Sequence, residues 1–92
     1  MSVLSATVVS DRLKSLPGWR LEGQEIIRTF EFADFVSAMR FVNAVAERAE
    51  GAGHHPDIDI RYNKVKLALT SHDAGGLTEN DLRLAGAVQL LA

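Results

Sequence analysis

The chain contains no cysteine. Disulfides, thiolate nucleophiles and Cys-based zinc sites are therefore all excluded, and a reducing compartment fits. Basic residues never gather into a run. With 10 Lys and Arg against 12 Asp and Glu, the formal net charge is −2. The electrostatic footprint of a nucleic-acid binder is missing, and so is an acidic tail. No apolar run approaches the roughly 20 residues needed to cross a bilayer. Met1–Val9 also lacks the basic flank and apolar stretch of a signal peptide. The expectation is a cytoplasmic protein that engages neither membrane nor nucleic acid.

What is present is a short, apolar-rich chain. Its 92 residues set one domain, 1–92, as the default. A domain of this size buries only about 60–65% of the surface its unfolded chain exposes. With 47% hydrophobic residues, a homo-oligomer that buries more apolar area is expected.

Ser5 can cap a first helix whose apolar stripe is Val9, Leu13 and Leu16, stopped by Pro17-Gly18. Trp19–Glu22 reads as a short strand and Gly23-Gln24 as a hairpin turn. Glu25–Phe32 alternates, with Ile26, Arg28, Phe30 and Phe32 on one face, and is rich in strand formers. Trp19 itself reads as a core or interface anchor.

Asp34 caps a long second helix. Its expected core stripe is Phe35, Met39, Val42, Ala46 and Ala49, widened by Ala38, Phe41 and Val45, with Gly51 as the left-handed stop. Ala52–Pro56 is a loop, because Pro56 disfavours helix at His55. Ile58, Ile60 and Tyr62 alternate with polar residues as a half-buried strand, Asn63-Lys64 makes the turn, and Val65, Leu67 and Leu69 return. Thr78 with Asp81 three residues on approaches a capping box. Leu77 and Leu82 occupy the positions of a hydrophobic staple, and Leu84, Val88 and Leu91 continue the stripe. The fold class is α+β in the order α-β-β-α-β-β-α: one four-stranded antiparallel sheet with three helices on one face.

All three histidines fall in the loops flanking the second hairpin. Seven residues separate His55 from Asn63 and seven separate Lys64 from His72. An antiparallel return of matched arms brings His54, His55 and His72 to one end of the sheet. Imidazoles give and take protons near neutral pH, and two or three together can act as general acid and base. Asp57 and Asp73 could orient them, Glu50 lies four residues before His54, and Asp81 is first a helix-start residue. A lone loop histidine is ordinarily a solvated polar residue, but convergence across a hairpin argues against three such accidents. Three His and an Asp could also bind Zn²⁺. Adjacent His54 and His55 point apart on an extended backbone, which is awkward for two ligands of one ion. Ser71 lacks the base and orienter of a serine nucleophile beyond these histidines. Gly75-Gly76 lacks the flanking pattern of a phosphate loop.

The run Glu50-x3-His54-His55-Pro56-x5-Tyr62-x9-His72-x8-Asp81 resembles the signature of the pterin-4a-carbinolamine dehydratases. Pro17-Gly18-Trp19, Arg28-x-Phe30-x-Phe32-x-Asp34-Phe35, Tyr62-Asn63-Lys64-Val65 and His72–Glu79 are similar to further family segments, so the likeness runs from about Ser5 to the C-terminus. The resemblance implies loss of water from a 4a-hydroxytetrahydropterin to give quinonoid dihydropterin, in recycling the pterin of aromatic amino acid hydroxylases. It implies neither metal nor organic cofactor, and a dimer or tetramer; animal members also serve as a dimerisation cofactor for a homeodomain transcription factor. Position by position, it implies His54, His55 and His72 as catalytic residues. Pro56, Ser71, Asp73 and Ala74 join them around the pterin, with Glu50 and Asp81 in support. His54 and His72 are expected to transfer the protons and His55 to position the ring. Two departures are Ser71, where the family carries Thr, and Asn80, where many members carry Arg. A binding or assembly protein on the same fold is the competing expectation. Loss of the His-His-Pro loop or of His72 would favour it, and both are present. A metal-binding module is a third.

Overall fold

Two hairpins, joined through their inner strands, build the sheet. The computed structural model describes residues 2–92. It runs α1 (Ala6–Arg12) with a 3₁₀ turn at Leu13–Ser15, β1 (Arg20–Glu22), β2 (Glu25–Glu31), α2 (Phe35–Ala52), β3 (Asp57–Arg61), β4 (Lys64–Leu69) and α3 (Glu79–Gln89). The strand order is β1-β2-β4-β3, antiparallel throughout. This is the α+β single-domain architecture expected from the sequence. Strand ends differ by a residue: β1 begins at Arg20 rather than Trp19, and β2 ends at Glu31 rather than Phe32.

Pairing of Ile26 with Leu69, Arg28 with Leu67 and Phe30 with Val65 stacks the large apolar side chains on one face. There they are buried with Val9 of α1, Ala38, Phe41, Val42, Val45 and Ala49 of α2, and Leu82, Leu84, Ala85 and Val88 of α3. Each fully buried Leu, Ile or Phe contributes about 1.5–3 kcal/mol. Arg28 shares this face because its guanidinium lies 4.3 Å above the Phe30 ring and donates to the Pro17 carbonyl at 2.7 Å. Gly18, with φ +89°, makes room for it: a Cβ there would sit 2.7 Å from Arg28 Nε. Trp19 is buried edge-to-face on Phe30 at 6.1 Å. On the opposite face the side chains are mostly polar. Ile27 is the exception, buried between its cross-strand partners Arg20 and Ala68.

The structure corrects four expectations. The second helix does not stop at Gly51 but runs two residues further, to a left-handed C-cap at Gly53 with φ +65°. Its buried stripe is Ala38, Phe41, Val42, Val45 and Ala49; Phe35 and Ala46 are exposed. The second hairpin turns on Tyr62-Asn63, because Arg61 pairs with Lys64. Tyr62 takes the positive φ, of 53°, while the Asn63 side chain donates to the Phe32 carbonyl at 2.8 Å. Finally, β3 is exposed at every residue rather than half-buried. It is an edge strand, and Ile58 and Ile60 on its helix-side face remain 38% exposed. No described helix is long and apolar enough to cross a membrane.

Candidate functional site

The end of α2 sets the first half of the site. Gly53 donates to the Glu50 carbonyl, and the next amide, His54, donates back to the Ala49 carbonyl at 3.1 Å. This closure stops the helix and fixes the His54 backbone before Pro56 leads the chain into β3. His54 Nε2 then lies 2.5 Å from Asp81 Oδ1, across to the first turn of α3.

Asp81 is fully buried. A buried carboxylate needs partners on both oxygens, and it has them. Oδ2 accepts from the Thr78 amide at 2.9 Å and from the Ser71 hydroxyl at 2.8 Å, while Oδ1 faces His54. Ser71 Oγ also lies 2.8 Å from Thr78 Oγ1. One carboxylate therefore does two jobs, capping α3 and fixing an imidazole. With an acceptor-only partner at Nε2, His54 carries its proton there, leaving Nδ1 as the nitrogen not engaged.

His55 points elsewhere. Its Nε2 lies 2.7 Å from Glu50 Oε1, and both side chains are largely exposed. Glu50 thus reaches His55 and not His54.

Residues 71–76 form a closed loop: Ser71 and Gly76 exchange backbone hydrogen bonds, and the amides of Ala74 and Gly75 return to the Ser71 carbonyl. On one side Ser71, Asp73 and Ala74 line a cavity of about 320 Å³ together with Thr78 and Asn80. His72 faces the other side. It lines a separate cavity of about 400 Å³ with Glu22, Gln24, Glu25 and Thr70. Thr70 ties the two hairpins together there by donating to the Gln24 carbonyl at 2.6 Å.

All three histidines sit where β3 begins and β4 ends. Among the described residues, however, no hydrogen bond joins His72 to His54 or His55, and no three His, Asp or Glu side chains are grouped to hold a metal ion. His54, Asp81, Ser71 and Thr78 form one network, His55 and Glu50 a second, and His72 stands apart from both.

From the sequence Thr78 reads only as a helix cap, and Glu22, Gln24 and Glu25 only as parts of the first hairpin. The first was findable, since an N-cap hydroxyl next to a site loop sits near that loop. The others are brought to His72 only by the β2–β4 pairing, which has no local signal.

The family model described as "Pterin 4 alpha carbinolamine dehydratase" matches residues 2–91. A protein of Acidobacterium capsulatum named "Putative pterin-4-alpha-carbinolamine dehydratase" is 60% identical over 91 residues, covering 99% of both chains. One of the same name from Chloroflexus aurantiacus is 58% identical, covering 96% of this chain and 95% of its own. Among solved structures, a transcriptional coactivator/pterin dehydratase from Brucella melitensis superimposes with a TM-score of 0.94 at 33% identity, covering 99% of each chain. A pterin dehydratase-like protein identified as a RuBisCO assembly factor in the alpha-carboxysome has a TM-score of 0.70 at 27% identity, covering 82% of this chain and 89% of its own.

Proposed function

The chain belongs to the pterin-4a-carbinolamine dehydratase family, and from that membership we propose that residues 1–92 form one catalytic unit that dehydrates a 4a-hydroxytetrahydropterin by histidine general acid–base catalysis. The C4a–O bond breaks, and the oxygen leaves as water with a proton from the acid. The neighbouring ring nitrogen supplies the electron pair of the new C=N bond and gives its proton to the base. The product is the quinonoid dihydropterin, and no electron is exchanged with any other group.

The observation that carries this reading is the His54–Asp81 pair. A buried carboxylate at Nε2 fixes both the tautomer and the orientation of the ring. His54 then works through Nδ1. Family membership assigns the second transfer to His72, which has to turn from the cavity it lines toward the ring, and His55, steadied by Glu50, positions the pterin. Pro56, Ser71, Asp73 and Ala74 wall the ring. His54→Ala and His72→Ala should each lower kcat by about 10²–10⁴. Wild-type turnover in both would place the chemistry elsewhere.

The dehydratase serves pterin recycling beside an aromatic amino acid hydroxylase and acts as a homo-oligomer. The exposed edge strand β3, with Ile58, Ile60 and an unpaired backbone edge, supports association with a second copy. The likeness to a RuBisCO assembly factor favours one second reading, a binding or assembly role on the same fold. Retention of His54, His55, Pro56 and His72 favours catalysis. A stopped-flow assay with freshly made 4a-hydroxytetrahydropterin decides between them: the assembly reading predicts no acceleration over buffer.

A further inference from the structure

The flanks of α2 and α3 leave a groove of about 570 Å³ between them. It is open because the residues along it have almost no side chain. Gly51, Ala52 and Ala87 line it, and a Cβ built at Gly51 meets nothing within 4 Å. Buried Leu84 gives it an apolar floor. Its rim is charged, with Arg48 from α2, Arg83 from α3 and Glu47 beside them. Among the described residues none of the three is in an ion pair, so the lining itself carries two guanidiniums and one carboxylate, with Glu79 acting on Arg83 from outside the groove. Asn80 lines both this groove and the cavity formed by Ser71, Asp73, Ala74 and Thr78. The two spaces thus share one lining residue, the neighbour of Asp81 in sequence.

We infer that the groove receives the substituent of the pterin ring, and that this substituent is anionic: the substrate is a 4a-hydroxytetrahydropterin whose side chain ends in a carboxylate or phosphate. The inference rests on the proposed dehydratase function. The ring walled by Ser71–Ala74 is uncharged, so dehydration itself has no use for the two arginines. A guanidinium fork matches a carboxylate or phosphate oxyanion, and the apolar floor suits the linker between ring and anion.

Equilibrium binding, followed by pterin fluorescence, tests this without turnover. The probes are pterin-6-carboxylate, 6-hydroxymethylpterin phosphate and neutral 6-methylpterin. At low salt at least one anionic pterin should bind about ten-fold tighter than 6-methylpterin, and the better of the two identifies the anion. Because the rim is open to solvent, that advantage should shrink in about 0.5 M salt. It should disappear in the double variant Arg48→Gln, Arg83→Gln. Gly51→Leu, which fills the groove and leaves both charges, should weaken the anionic pterins as well. Equal affinity for all three probes, or an anion preference that survives the double substitution, overturns the inference.

Turnover separates it from the function it rests on. If the 6-methyl carbinolamine is dehydrated well and the anionic forms no better, the groove inference alone fails. If no carbinolamine is dehydrated but the Arg-dependent preference persists, the dehydratase reading fails and the anion site stands.

Discussion

Asp81→Asn is the sharpest single perturbation. The native carboxylate is fully buried and accepts from the Thr78 amide and Ser71 hydroxyl on one oxygen while facing His54 with the other. Asparagine keeps the shape but turns one acceptor into an NH₂ donor. Two donors already converge on the Oδ2 position, so the amide oxygen must stay there and the NH₂ must turn to His54. Nε2 then has to accept, and the imidazole proton moves to Nδ1, the nitrogen meant for the substrate. A general acid–base in the wrong tautomer should lose about 10²–10⁴ in kcat, with a smaller change in KM. The stability loss is separate and smaller. Charge-assisted hydrogen bonds become neutral ones, costing about 1–2 kcal/mol in total, or roughly 5–15 °C in Tm for a domain of this size. Kinetics belong below the variant's Tm, checked by circular dichroism, with histidine nitrogen NMR reading the tautomer. A folded variant with wild-type kcat, or with the proton still on Nε2, would refute the orientation argument.

Other perturbations have graded outcomes. Gly53→Ala forces a Cβ into the left-handed region at φ +65°, at a cost of about 1–2 kcal/mol; thermal melts should show it, together with a fall in kcat because the His54 backbone is set there. Glu50→Ala removes an exposed partner of His55. Tm should move by no more than a few degrees and kcat/KM by less than about ten-fold, and a hundred-fold loss would make Glu50 catalytic instead. The Glu79 carboxyl is held below its usual range, first by its hydrogen bond from Arg12, as Asp34 is by the Ser37 amide. A lowered folded pKa gives stability that is present above the unfolded value, near pH 4, and lost as pH falls through the folded one. Glu79→Gln should therefore flatten the acid side of the Tm–pH curve and leave its shape above pH 6 unchanged. A curve parallel to wild type at low pH would contradict that linkage.

Local chemistry was legible where a residue acts on its own neighbours. Ser5 and Asp34 cap their helices through their side chains, and Leu77 and Leu82 are buried at the start of α3 as a staple requires. Two glycines two residues apart defeated periodicity at the end of α2. The choice of Gly53 is made by the return of the His54 amide to Ala49, a bond no spacing rule encodes. The alternation in β3 is real, but alternation says only that a strand has two faces. Its place at the edge, beyond the helices, depends on strand order. The same limit applies to the site. Matched hairpin arms predicted that His54, His55 and His72 share one end of the sheet. They did not predict that the tight 71–76 loop turns His72 toward the β1–β2 turn, or that Asp81 serves His54 and the helix cap with different oxygens.

The most direct test of the central claim is the rate at which fresh 4a-hydroxytetrahydropterin loses water in a stopped-flow cell. The account predicts first-order decay that accelerates in proportion to protein concentration and collapses in His54→Ala and His72→Ala. Decay at the buffer rate with folded wild-type protein would contradict it.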